Sequence, residues 1–436
     1  MRHRTAASIL VAAAALSVSG CSTAEDYVAS INPFQRRDAV EGERRPALSV
    51  DPLLQQGTFV RAAVLPAAVR GGDWLNVGGT PAGANPHVDA QATLGWSREG
   101  SATRALSPPI SVGGRLVVAD STSLRAITVA DGSPVWSVRL DPSGNEPDAV
   151  NPGVASDGGR IFATTGLQRL SAFDAATGTT LWSIALPEPV RGIPVASLNR
   201  VYVLLGLSSA MAIDASSGSE IWRHTGVPGA IGLGTATAPA VSAQTVAFTT
   251  GSGELVLLDA QRGTQRFSIP MTRASGVIGS ASVFDVASRP VIDRGIVYAG
   301  GSQGRFFAVR ETNGERLFNR TVGMAHPPVV SGDTVFILAG DGRVEALDRM
   351  SGAIKWLRPL PGDGRTGYAG PTLVNGGLFI VSAAGSVLRL EATNGELSAA
   401  GNVPPGSILS AIPTAAGLVI TTNRGTIASF EGARRS

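Results

Sequence analysis

Apolar and polar positions alternate in short runs along most of this 436-residue chain, and Gly, Asp, Asn and Pro punctuate the runs. That pattern predicts short half-buried strands joined by tight turns. After the first twenty residues no long stretch carries a helical period. One unit recurs. Residues 172–182 run Ala-Phe-Asp-Ala-Ala-Thr-Gly-Thr-Thr-Leu-Trp, and residues 212–222 and 346–356 repeat it as Ala-Ile-Asp-Ala-Ser-Ser-Gly-Ser-Glu-Ile-Trp and Ala-Leu-Asp-Arg-Met-Ser-Gly-Ala-Ile-Lys-Trp. Weaker copies end at Trp136, Phe267, Phe318 and Ala399. The turn glycines stand at 132, 178, 218, 263, 314, 352 and 395, in steps of 46, 40, 45, 51, 38 and 43 residues. Such a period is that of a propeller blade.

The spelling of the unit has a physical basis. Asp174 is placed to accept backbone N–H groups two and three residues on, which seeds a tight turn. Gly178 supplies a positive φ without steric cost. The following strand carries the aromatic, so Trp136, Trp182, Trp222, Phe267, Phe318 and Trp356 are expected at equivalent positions, wedged between neighbouring blades. Each, fully buried, contributes roughly 1.5–3 kcal/mol. Upstream of each turn a proline precedes a short apolar strand, as at Pro194 and Pro328, giving about four strands per repeat. Gly71 to Trp74 and Thr93 to Trp96 read as strands of an incomplete first repeat. Residues 413–422 and 425–430 read as the opening strands of an incomplete last one. Together they predict an all-β, eight-bladed propeller of four-stranded antiparallel blades, its ring closed by joining the N- and C-terminal strands, over residues 66–436.

Residues 1–20 have a different pattern: Arg2 and Arg4, then an apolar run from Ala6 to Val18 too short to span a bilayer comfortably. The run ends Leu-Ser-Val-Ser-Gly before Cys21, the only cysteine of the chain. This resembles the bacterial lipoprotein signal. The resemblance implies cleavage before Cys21 and acylation of it, and Ser22 in the next position implies the outer membrane, periplasmic face. Residues 21–65, mixed in charge and without apolar period, read as a lipidated, mostly disordered tether. The formal charge is +3, and Arg2 and Arg4 supply two of it, leaving +1 for the remainder. That balance does not suit a nucleic-acid partner.

Catalytic signals are poor. His3 lies in the signal region, and His87, His224 and His326 are scattered without metal-ligand spacing. The glycine clusters at 251–253 and 300–304 sit between strands, where hairpin turns explain them better than phosphate cradles. No catalytic, cofactor or metal residue is assigned.

The Ala-x-Asp-x-x-Thr/Ser-Gly-x-x-x-Trp repeat is similar to the tryptophan docking motif of quinoprotein-like propellers. On a lipoprotein without another domain it resembles the BamB family, accessory lipoproteins of the outer-membrane β-barrel assembly machine. The resemblance implies a scaffold that docks on BamA, the central barrel protein, and on other machine components, with unfolded outer-membrane proteins as further possible partners. Two segments carry the family's docking positions. Ile231 and Leu233 match apolar positions ahead of Ala238-Pro239-Ala240, with Gly234 where the family has arginine. Asp285 matches an acidic position ahead of Pro290, with Ala287 where the family has a second aspartate. Arg289, or Arg273, is placed to supply the missing positive charge. Read on their own, Ile231 and Leu233 equally suit blade core, and Asp285 a turn cap. Two alternatives of other classes stay open, a periplasmic quinoprotein-like dehydrogenase and a binding module for a cell-wall polymer or another outer-membrane partner.

Overall fold

In a computed structural model, residues 61–430 are described except for 91–95, 99–105, 121, 141–151, 166, 227–236, 272–287, 303, 325, 363–365, 404–407, 415–416 and 423–424. All regular structure among the described residues is β. A representative sheet orders the strands Val195–Ser197, Arg200–Leu205, Ser209–Asp214 and Glu220–His224 side by side in chain order, every pair antiparallel. Seven sheets have four strands and one has six. Their arrangement is a β-propeller ring. First strands are almost wholly buried, while fourth strands such as Thr180–Ala185 alternate between exposed and half-buried. The first strands therefore line the axis and the fourth strands form the rim. Because the four strands alternate in direction, every connection from one sheet's rim strand to the next sheet's axial strand leaves at the same end of the ring.

The repeated unit folds as its spelling predicts. Asp174 Oδ1 accepts from the N–H groups of Ala176 and Thr177, at 3.0 and 2.8 Å, and the Gly178 N–H closes the turn on Asp174 O at 2.9 Å. Asp214, Asp259 and Asp348 do the same in their own turns. In each of these sheets the register slips by one residue beside the turn, so that Ala172 opposes Trp182 but Phe173 opposes Thr180. The skipped residue bulges out, which accounts for Val135, Leu181 and Ile221 being exposed apolar residues.

The aromatic side chains act across repeats. Trp136, Trp182, Trp222 and Trp356 each donate an indole N–H to a carbonyl in the next unit's turn, those of Ala175, Ala215, Ala260 and Ala392, at 3.0–3.3 Å. Each ring also lies against the next unit's turn glycine. A Cβ on Gly178, Gly218, Gly263 or Gly395 would stand 2.5–3.1 Å from ring carbons. Phe267 on Gly314 and Phe318 on Gly352 make the same contact without the hydrogen bond. Trp222, Phe318 and Trp356 are buried as expected, whereas Trp136, Trp182 and Phe267 are only half-buried. Their share of the burial energy is correspondingly smaller.

The strand that follows Trp96 and the strands of residues 408–430 share one sheet and close the ring. Ser97–Arg98 pairs antiparallel with Ile427–Phe430, with Ser97 opposite Ala428, and the Ser429 N–H donates to Trp96 O at 2.8 Å. Trp96 takes the aromatic position of this sheet, donating to Val129 O and lying on Gly132. The stretch from Gly71 to Trp74 departs from expectation. It is not a blade strand, and Trp74 forms a single antiparallel bridge with Ser111. Its neighbours Val69–Arg70 and Val88–Asp89 add in parallel to the sheet of residues 368–402, making it six-stranded. Residues 61–65, read from sequence as tether, are already tied to the ring. Ala63 is buried and its N–H donates to Thr393 O at 3.0 Å.

Candidate functional site

The segment 61–90 is interrupted by glycine and proline and builds no blade of its own, and its backbone groups find partners on other elements. Trp74 exchanges two backbone hydrogen bonds with Ser111. Leu75 O accepts from Ser156 N at 2.8 Å. The Asn76 side chain pairs with both backbone groups of Ala196, at 2.8 and 3.2 Å. Pro81 O and Ala82 O accept from Val241 and Ile292. Val88 pairs with Val374. Each of these partners belongs to the axial strand of a different sheet. The segment therefore enters the space those strands enclose, from the end opposite the rim-to-axis connections.

Arg289 reaches the same segment from the other end, two residues before the axial strand Val291–Asp293. Its guanidinium donates to Val77 O at 2.8 Å and Gly83 O at 3.5 Å. It is 7% exposed, and desolvation pulls its pKa down to about 10. Gly78 and Gly83 make room for it. A Cβ at either would stand 2.1 or 2.3 Å from a guanidinium nitrogen. Arg289, expected to supply a positive charge to a partner, thus has its side chain buried inside the ring, with two of its N–H groups on the segment's carbonyls. Ile231, Leu233 and Asp285 lie outside the described residues.

The histidines have structural partners. The Gly376 N–H donates to His87 Nε2 at 2.9 Å, so His87 Nδ1 carries the proton it shares with Pro66 O at 2.8 Å. His326 Nε2 bonds Tyr368 O at 2.8 Å, and burial lowers its pKa despite that bond. His224 stands edge-on to Phe248 and burial lowers its pKa too. Glu345, fully buried, is held by Arg320 and Arg343 at 3.3 and 2.9 Å. Among the described residues no three His, Cys, Asp or Glu side chains converge to hold a metal ion.

Sequence reasoning missed the axial segment and the burial of Arg289. A readable signal was present in the glycine pairs at 71–72 and 78–79 around Asp73, Trp74 and Asn76, a composition that suits neither a strand nor a tether.

Known proteins share this architecture. A solved BamB from Moraxella catarrhalis superposes with a TM-score of 0.64 at 19% identity, covering 78% of this chain and 99% of that one. A quinohemoprotein alcohol dehydrogenase from Comamonas testosteroni superposes with a TM-score of 0.65 at 16% identity, over 83% and 81% of the two chains. At those identities both likenesses speak for the fold alone. Among curated sequences, the outer membrane protein assembly factor BamB of Salmonella typhimurium is 28% identical over 330 residues, 73% of this chain and 82% of its own length. That of Escherichia coli is 28% identical over 70% of this chain and 79% of its own. Residues 120–358, more than half of the chain, match the family model described as outer membrane protein assembly factor BamB. On that match the chain belongs to the BamB family of outer membrane protein assembly factors.

Proposed function

We propose that this chain is a non-catalytic scaffold lipoprotein of the outer-membrane β-barrel assembly machine, an eight-bladed ring docking on a BamA-like barrel protein and assisting insertion of β-barrel proteins. Family membership supports the general role. The observation that carries the docking site is the topology of the flanking strands. Ile231 and Leu233 fall between the rim strand Glu220–His224 and the axial strand Ala240–Val241, and Asp285 falls between Gln265–Pro270 and Val291–Asp293. Both connections leave the ring at one end, from neighbouring sheets. An apolar centre with a charged edge on that end is the anatomy of a hot spot, where single truncations cost about 2 kcal/mol or more. With Arg289 turned inward, Ile231, Leu233 and Asp285 are the docking set.

A paired Leu233→Glu and Asp285→Arg variant tests this. It is expected to keep its melting temperature and lose co-purification with the BamA-like protein from detergent-solubilised membranes. Retained co-purification at unchanged affinity refutes the site. Cys21 is the proposed lipid anchor, holding the ring at the periplasmic face of the outer membrane. Cys21→Ser is expected to leave an uncleaved or soluble species, and recovery of that variant in the outer membrane as before would place the anchor elsewhere.

A further inference from the structure

The repeat that builds this ring also builds quinohemoprotein dehydrogenases, whose name implies a quinone cofactor. In a closed propeller the space that buries a ligand on most of its surface is the central channel. We infer that residues 74–84 are an internal plug occupying that channel in the place of a cofactor, latched by Arg289, and that the channel admits no planar quinone.

Three observations carry this. First, the segment hydrogen-bonds to the axial strands of several different sheets, among them Ser111, Ser156, Ala196, Val241 and Ile292. Those strands follow one another around the axis, so the segment runs along their inner edges and takes up that end of the channel. Second, the plug is met from both ends: it meets the axial strands at one end of the ring, and Arg289 comes to it from the other. Third, the segment and Arg289 are in close contact. A single methyl group at Gly78 or Gly83 would collide with the Arg289 guanidinium, and one at Gly79 would stand 2.8 Å from the Trp74 ring, which is itself buried. A fused-ring quinone at this place would have to displace the segment and the Arg289 side chain together. The chemistry points the same way, since two of the Arg289 N–H groups are already directed at Val77 O and Gly83 O.

The inference does not depend on where a partner docks, so its failure and the failure of the docking site are separate results. The experiment uses the full mature protein with pyrroloquinoline quinone and calcium, followed by absorbance, tryptophan fluorescence and equilibrium dialysis. No saturable binding is expected. Saturable, stoichiometric uptake of the quinone overturns the inference. Hydrogen exchange on the same protein supplies an independent reading. The amides of Trp74, Gly79 and Gly83 are expected to exchange on the order of a hundredfold more slowly than in an unstructured peptide. Exchange at peptide rates means the plug is not seated and refutes the idea. In Arg289→Ala the protection of residues 74–84 is expected to fall at least tenfold while that of the strand Thr334–Leu338 stays. Arg289→Lys, which keeps a donor but not the fork, is expected to fall between the two. Unchanged protection in Arg289→Ala removes Arg289 as the latch.

Discussion

If each blade junction is an aromatic ring set on the next unit's glycine, the two partners should be energetically coupled, and the pair of Trp356 and Gly395 measures how strongly. Trp356 is 1% exposed and donates to Ala392 O at 3.0 Å. Gly395 has φ +71°, and a Cβ there would stand 2.6 Å from the indole ring. Trp356→Ala removes a buried aromatic and leaves a cavity, a loss of about 3–5 kcal/mol. Gly395→Ala costs two things. One is the left-handed backbone, about 1–2 kcal/mol for a residue with a Cβ. The other is overpacking against the ring, about 1–3 kcal/mol. In the Trp356→Ala background the ring is gone and only the backbone cost remains. The double variant should therefore be more stable than additivity predicts, by about 1–3 kcal/mol. Denaturant unfolding of the wild type, both single variants and the double variant gives the coupling directly. Additivity within about 0.5 kcal/mol would refute the junction, because uncoupled sites behave in that way. Trp356→Phe removes the hydrogen bond together with one ring of the indole. Phe267 and Phe318 already serve at this position, so a loss of only about 1–2 kcal/mol is expected.

Two further predictions concern the ring's ties. Burial alone would push the Asp333 carboxyl up, but the Lys355 ammonium at 2.5 Å, the Thr334 hydroxyl and the Val64 N–H outweigh it and hold the pKa at about 2. Since the folded value lies below the ordinary one of 3.8, this stabilisation is complete above about pH 4 and is lost as pH falls towards 2. Asp333→Asn should flatten the acid limb of a stability profile and, by leaving the buried Lys355 ammonium with hydrogen-bond acceptors but no counter-charge, cost roughly 2 kcal/mol at neutral pH. That figure is less than for a fully buried pair, because the carboxylate is about a third exposed. A profile parallel to that of the wild type would refute the assignment. Ser429→Pro removes the N–H that joins the last strand to Trp96 O and should destabilise the ring by about 1–3 kcal/mol. Equal denaturation midpoints would mean that closure does not rest on this pairing.

The blade unit was legible because everything it needs lies within eleven residues: a carboxylate to cap the turn, a glycine to close it and an aromatic at fixed distance after it. The pairing of Trp96 with the C-terminal strands was legible for a related reason, since an unfinished repeat at one end calls for its complement at the other. What sequence could not reveal was which glycine each ring meets. Trp182 meets Gly218, not its own Gly178, and only the ring's geometry sets that partner.

The axial segment was illegible for the opposite reason. Its contacts are single groups far apart in the chain, Asn76 with Ala196 and Ala90 with Asn375, and no period records them. Arg289 was read only through the family resemblance, as a substitute for a missing positive charge, and a buried guanidinium without a carboxylate is costly. Here the cost is offset by carbonyls delivered from the segment opposite, and only glycine at 78 and 83 lets those carbonyls come close enough. The two glycines and the arginine are thus one device divided between positions some two hundred residues apart. Neither half makes physical sense without the other, which is why Arg289 read alone suggested a charge for a partner and the two glycines suggested nothing.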